Sequence, residues 1–297
     1  MGLGGLTVPV PTLFDRDGKL SPGANADFAR ALCTEGVDHL LVLGSTGEFP
    51  LLEDAERTEL VRSVSSGLSS PCDLWVGCGA PATSRAVRYA KEAEEHGASA
   101  LLAVAPYYLR PTYAEIAQYY REIHAAVKIP LLAYNIPAKV GYALPSSLVH
   151  ELAGEGVIVG MKDTSGSIES IERFLAAAPH GFQLLPGDDQ LVEDSIARGA
   201  VGAVMGTANV VPRLAQGLVA ACRRGDAARA AELQDLVARL KTAVGHGPYP
   251  STTKFLAHHV RGATVGYRSP YGPLTDREEA AVLAAWSEVE AQIRPFL

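Results

Sequence analysis

Apolar positions along this chain follow two alternating rhythms. Eight short runs are almost wholly apolar, at positions 6–10, 40–43, 74–76, 100–105, 131–134, 157–161, 182–185 and 201–205. Short runs of this kind, bounded by turn residues, read as strands buried on both faces. Between them, apolar residues recur at helical spacing. Over positions 85–96, Ala86, Val87, Ala90 and Ala93 share one helical face. Glycine stands just past several helical stretches, at Gly36, Gly97 and Gly199. Glycine there accepts the left-handed conformation that closes a helix.

Strand alternating with helix predicts parallel strands. Eight units in the first 225 residues predict an α/β fold, a (β/α)8 TIM barrel. An open doubly wound sheet is the other arrangement the alternation allows. No G-x-G-x-x-G follows the first strand, so the dinucleotide version of that sheet loses its marker. The expected division is a barrel over residues 1–225 carrying the active site, with a C-terminal helical region over 226–297 packed on it. Within that region, 226–244 and 251–259 read as helices, with turn-rich chain at 245–250 and a loop at 267–273. Thr275 and Glu278 form a capping box for a last helix, whose Val282, Trp286, Val289 and Ile293 recur on one face.

Composition narrows the function classes. Hydrophobic residues make up 47% and charged residues 20%, enough for a sizeable core. The net charge of −7 argues against nucleic acid as a partner. No apolar run approaches the ~20 residues of a membrane span, and no secretory signal is visible. Cys33, Cys72, Cys78 and Cys222 are scattered without a C-x-x-C pair and read as free thiols. The expectation is a soluble cytoplasmic protein.

A barrel enzyme keeps its chemistry at the carboxyl ends of its strands. Lys162 stands at the end of the 157–161 run, ahead of Asp-Thr-Ser-Gly166. An ammonium in such partly desolvated surroundings has a depressed pKa, and a free amine there suits Schiff-base chemistry. An ordinary surface lysine is the plain alternative. Tyr134 ends the preceding strand and would be the neighbour of Lys162, close enough to relay a proton. Ser45 and Thr46 lie between two glycines in Gly44-Ser-Thr-Gly47 and suit a carboxylate. Tyr107 and Tyr108 read as local packing or as an aromatic plug at a subunit contact. Asp188 and Asp189 lack a matching His or Glu set and read as helix N-terminal caps. Together, one amine, one phenol and a hydroxyl pair suit imine formation with a 2-oxo acid, followed by an aldol step that needs no metal.

These motifs resemble the dihydrodipicolinate synthase / N-acetylneuraminate lyase family of pyruvate-dependent class I aldolases. The resemblance covers nearly the whole chain and rests on Gly44-Ser-Thr-Gly-Glu48, Tyr134-Asn-Ile-Pro137, Gly160-Met-Lys-Asp163 and the glycine-rich stretch 202–209. It implies Lys162 as the imine nucleophile and a proton relay of Tyr134, Ser45 and Tyr108, the last reaching in from a neighbouring subunit. Thr46 and Gly47 would grip the pyruvate carboxylate, with Gly187 and Val204 lining the pocket. No cofactor is implied beyond the covalent lysine imine, and homotetramers, as dimers of dimers, are usual. The sequence departs from the synthases at Lys139, where they carry an arginine for the second substrate's carboxylate, and at Leu13, where a proline is usual. Lysine keeps the charge but loses the bidentate fork.

Three functions follow as expectations. First is a lyase cleaving a 2-keto-3-deoxy sugar acid or a 4-hydroxy-2-oxo acid to pyruvate and an aldehyde. Second is the synthase condensing pyruvate with aspartate semialdehyde. Third is a catalytically silent oxo-acid binding protein, which measurable aldol turnover would eliminate. Lys139, Val140, Thr164 and Ser165 are the expected seat of specificity for the aldehyde.

Overall fold

A computed structural model of the chain describes residues 2–68 and 72–297. Eight strands run in parallel: β1 (Gly5–Pro9), β2 (His39–Val42), β3 (Asp73–Gly77), β4 (Ala100–Val104), β5 (Leu131–Asn135), β6 (Gly160–Asp163), β7 (Gln183–Pro186) and β8 (Gly202–Val204). Each pairs with the next in sequence up to β7, and β1 also pairs with β8. The Val201 N–H donates to the Leu184 carbonyl at 3.1 Å, which joins the β7 and β8 ends of the sheet. The expected barrel is therefore present, and the open sheet is not.

Side chains alternate across each strand, and the core divides accordingly. Leu41, Trp75, Leu102, Leu132, Leu185 and Val204 fill the barrel interior. Their neighbours Leu40, Leu74, Leu101, Leu131, Met161 and Leu184 face the surrounding helices. Both faces are apolar, which is why the strands read as continuous runs rather than as an alternation. The helix-closing role of Gly36, Gly97 and Gly199 is borne out, with φ of 84°, 89° and 111°.

One strand is displaced from its apolar run. β6 begins at Gly160, three residues after the run starts at Val157. Val157 and Ile158 are buried, but they fold back on the preceding helix, Ser146–Gly154, and their N–H groups donate to its Leu152 carbonyl. The shift carries Lys162 inside the strand rather than just past it.

Three helices follow the barrel, Ala227–Val244, Tyr249–Arg261 and Asp276–Ile293. Asp226 caps the first, and the Thr275–Glu278 capping box starts the last. Val282, Trp286, Val289 and Ile293 are all buried. The expectation of four free thiols is corrected: Cys33 and Cys72 form a disulfide, with Cα atoms 5.7 Å apart. They lie 39 residues apart, one near the end of a helix and one before β3, and are brought together only by the packing of successive barrel units. Cys78 and Cys222 are free. Among the described residues, no helix is long and apolar enough to cross a membrane.

Candidate active site

Lys162 is held in register against Tyr134 on the neighbouring strand β5. Because the pairing is parallel and the side-chain period is two, both point into the barrel. The following pair, Asn135 and Asp163, points outward and fixes that register, since Asn135 Nδ2 donates to Asp163 Oδ1 at 2.6 Å. Asn135 Oδ1 also accepts from the Leu144 N–H at 3.0 Å, and Asp163 Oδ2 accepts from the Ser165 hydroxyl at 2.7 Å. Burial raises the pKa of Asp163, an effect that these donors oppose. Ser165 is thus committed to the strand end rather than to a ligand.

The Lys162 side chain is buried, and its Nζ lies 4.3 Å from the centre of the Tyr134 ring. Burial alone would raise the pKa of the Tyr134 phenol. The Lys162 charge, with the hydroxyls of Thr164 and Ser45, outweighs burial and holds the phenol below its ordinary value. Gly187 packs closely against Lys162 and Thr164. A Cβ at that position would run into Lys162 Cε and Thr164 Oγ1.

Ser45 and Thr46 sit in a turn bracketed by two left-handed non-glycine residues, Leu43 at φ 57° and Glu48 at φ 53°. Such conformations persist only where surrounding contacts enforce them. Two contacts do so here. The Thr12 hydroxyl donates to the Gly47 carbonyl at 2.6 Å, and the fully buried Lys254 meets Glu48 Oε1 at 2.5 Å. Burial pushes Glu48 up and Lys254 down, and each charge opposes the shift of the other.

These elements enclose a cavity of about 190 Å³ at the carboxyl ends of the strands. Lys162, Tyr134, Ser45, Thr46, Lys139, Gly187 and Val204 all line it. Gly47 does not; it serves the turn behind Thr46. Tyr108 does not line it either, being 94% exposed with φ 75°, so it reaches no part of its own chain's cavity. Thr164, expected as a specificity residue, lines the cavity, and Val140 lines an adjoining, mostly apolar one of about 290 Å³ with Phe49, Tyr107 and Tyr271.

Sequence reasoning missed Lys241 and Tyr249, which both line the Lys162 cavity from the C-terminal helices. Tyr249 packs so tightly on Gly206 that a Cβ there would strike its hydroxyl. Its segment reads as turn, and Lys241 is one basic residue on a helix, so neither carried a signal. The cap expectation for the aspartate pair holds for Asp188, which accepts from the Gln190 N–H at 3.1 Å. Asp189 instead accepts from the Gly206 and Thr207 N–H groups at 3.1 and 2.7 Å, which ties the β7 loop to the β8 loop.

Comparisons with known proteins agree with this geometry. Residues 2–289 match the model of the dihydrodipicolinate synthetase family. An uncharacterized DapA-like lyase of Halobacterium salinarum is 35% identical, over 96% of this chain and 93% of its own length. A 4-hydroxy-tetrahydrodipicolinate synthase of Azoarcus is 32% identical, over 97% of this chain and 99% of its own. Among solved structures, the 4-hydroxy-tetrahydrodipicolinate synthase of Methylacidiphilum fumariolicum superposes with a TM-score of 0.94 at 27% identity, covering 99% and 98% of the two chains. YagE of Escherichia coli, solved in complex with pyruvate, gives 0.93 at 26% identity, covering 97% and 99%. With its barrel, its lysine strand and these relatives in agreement over nearly its full length, the chain belongs to the dihydrodipicolinate synthetase family.

Proposed function

We propose that this enzyme, a carbon–carbon lyase of the class I aldolase type, cleaves a 2-keto-3-deoxy sugar acid or a 4-hydroxy-2-oxo acid to pyruvate and an aldehyde. The observation that carries the reading is the register pair of Tyr134 and Lys162 inside one cavity. The Lys162 amine attacks the C2 carbonyl of the substrate, and loss of water gives a protonated imine. Tyr134 takes the proton from the C4 hydroxyl as the C3–C4 bond breaks. The aldehyde leaves, and the bonding electrons pass into the imine as an enamine. A proton returned to C3 and hydrolysis of the imine release pyruvate. The imine is itself the electron sink, so the proposed steps call on no metal or cofactor.

Ser45 and Thr164 pass protons with Tyr134, and Thr46 with its backbone receives the carboxylate. Gly187 and Val204 shape the floor. The exposed Tyr108 completes the relay in a second copy of the chain, within a homotetramer built as a dimer of dimers. YagE, solved with pyruvate, supports the choice of 2-oxo acid.

The experiment is borohydride reduction in the presence of pyruvate, followed by peptide mapping. A reduced adduct on Lys162 is expected, and an unmodified Lys162 rejects the mechanism. The condensing synthase is a second reading, favoured by the activity named for several relatives. Condensation of pyruvate with aspartate semialdehyde faster than pyruvate release from any keto acid would select it.

A further inference from the structure

The C-terminal helices bring one aromatic side chain to the Lys162 cavity. Tyr249 opens the helix Tyr249–Arg261 and lines the cavity with Ser45, Thr46 and Lys162. Three features fix its position. Pro248 and Pro250 flank it at the helix start, where their locked φ stiffens the backbone. Lys241, from the preceding helix Ala227–Val244, sets its Nζ 4.7 Å from the centre of the ring. The hydroxyl lies so close to Gly206 that a Cβ there would strike it. The ring is thus held by its backbone, its face and its tip.

So held, the Tyr249 hydroxyl is within hydrogen-bond reach of the hydroxyls of Thr46 and Thr253. Thr253 gives its own proton to the Tyr249 carbonyl at 2.8 Å, so towards the phenol it can only accept. Burial, joined by the charge of Asp189, pushes the Tyr249 phenol above its ordinary value. The two phenols of the cavity are therefore driven apart: Tyr134 is held down, beside Lys162, and Tyr249 is held up, as a group that keeps its proton and donates it.

Under the aldolase reading, Thr46 receives the substrate's carboxylate. A hydroxyl has one proton, and a bound anion draws the Thr46 proton to itself. The Thr46 oxygen is then free to accept, and Tyr249 is the donor beside it. We infer that Tyr249 is a positioning residue for that carboxylate: its hydroxyl backs Thr46, aims the Thr46 proton at the anion, and so favours 2-oxo acids over neutral ketones of the same size. Hydrogen bonds chained in this way polarise one another and strengthen the last one, to the anion. The carboxylate takes no part in bond breaking, so Tyr249 should change the concentration of 2-oxo acid required and not the rate at saturation. The inference rests on the aldolase reading for the place of the carboxylate.

Borohydride trapping at Lys162 tests it with pyruvate and with pyruvamide, which has the same shape and no charge. The reading is the concentration that gives half-maximal labelling. Tyr249→Phe keeps the ring under Lys241 and deletes only the hydroxyl. It is expected to raise the pyruvate concentration about ten-fold and to shift pyruvamide by about three-fold at most, with labelling at saturating pyruvate within about three-fold of wild type. A second arm asks whether the effect passes through Thr46. In a Thr46→Val background, Tyr249→Phe is expected to shift pyruvate by no more than about two-fold further. A Tyr249→Phe variant that moves pyruvate by less than about three-fold overturns the inference, and so does one that moves both probes alike, as a merely loosened wall would. Full additivity with Thr46→Val overturns it as well. In each of those cases a wild type labelled by pyruvate leaves the aldolase reading standing. A wild type that pyruvate fails to label loses both.

Discussion

Tyr134 and Lys162 occupy the same rung of two adjacent parallel strands, with the lysine nitrogen 4.3 Å from the centre of the tyrosine ring. The ring packs against the lysine, and in the proposed mechanism its hydroxyl also relays protons. Tyr134→Phe separates the two roles, because it keeps the ring and deletes only the hydroxyl. The turnover number is expected to fall by about 10²–10⁴, the usual worth of a positioned acid–base group. Pyruvate should still be trapped on Lys162, more slowly. Steady-state kinetics beside borohydride labelling checks this; a variant within a few-fold of wild-type turnover would remove Tyr134 from the relay.

The pH profile carries a sign. Burial pushes the Tyr134 phenol up, but the Lys162 charge and the hydroxyls of Thr164 and Ser45 favour its ionised form more strongly, so its pKa lies below the ordinary value of about 10. Because Tyr134 takes a proton in the proposed cleavage step, kcat/KM should rise as the phenol ionises, and that limb should accordingly lie below pH ~10. Thr164→Val removes one donor to the phenolate, so the limb should move to higher pH. A pH–rate profile for each protein decides it, and a limb that moves down in the variant contradicts the assignment.

Gly187 is where the lysine needs space. An added methyl has no room beside Lys162 Cε and Thr164 Oγ1. Gly187→Ala should therefore displace the nucleophile. Borohydride labelling by pyruvate is expected to weaken at least about ten-fold, with a stability loss of about 1–3 kcal/mol from overpacking. Labelling and thermal unfolding measured together distinguish a shifted lysine from a globally loosened barrel. Unchanged labelling would show that the lysine tolerates the methyl.

How much of this was legible in the sequence depended on whether a signal was local. The strands were legible because both of their faces are buried, which leaves an apolar run that no surface helix copies. Lys162 and Tyr134 were legible because each interrupts or ends such a run. β6 was misplaced by three residues because Val157 and Ile158 are as apolar as strand residues. Their burial serves the preceding helix, and only the chain's path reveals it. The Cys33–Cys72 bridge and the two cavity residues of the C-terminal helices share another cause. Each depends on segments far apart in sequence meeting in space, and nothing in the local pattern at Cys72, Lys241 or Tyr249 marks the meeting. Asp189 was misread for the same reason, since its partners Gly206 and Thr207 belong to the next strand's loop.

Glu48 and Lys254 form a buried ion pair that costs more to lose by one half than to lose whole. Lys254 is fully buried, and Glu48 is nearly so at 2% exposed, in a left-handed conformation directly after the Ser45–Thr46 turn. Deleting one charge strands the other, and an uncompensated buried charge costs about 3–5 kcal/mol. Replacing both with neutral groups of similar size removes the stranded charge as well, so much of that loss should return. Lys254→Met is thus expected to destabilise the protein by about 3–5 kcal/mol, and Lys254→Met with Glu48→Gln by no more than about half as much. Urea unfolding of the wild type, both single variants and the double variant measures the coupling. If the double variant is as unstable as the sum of the singles, the two charges do not act as a pair. The turn would then owe its conformation to the Thr12–Gly47 hydrogen bond and its packing alone.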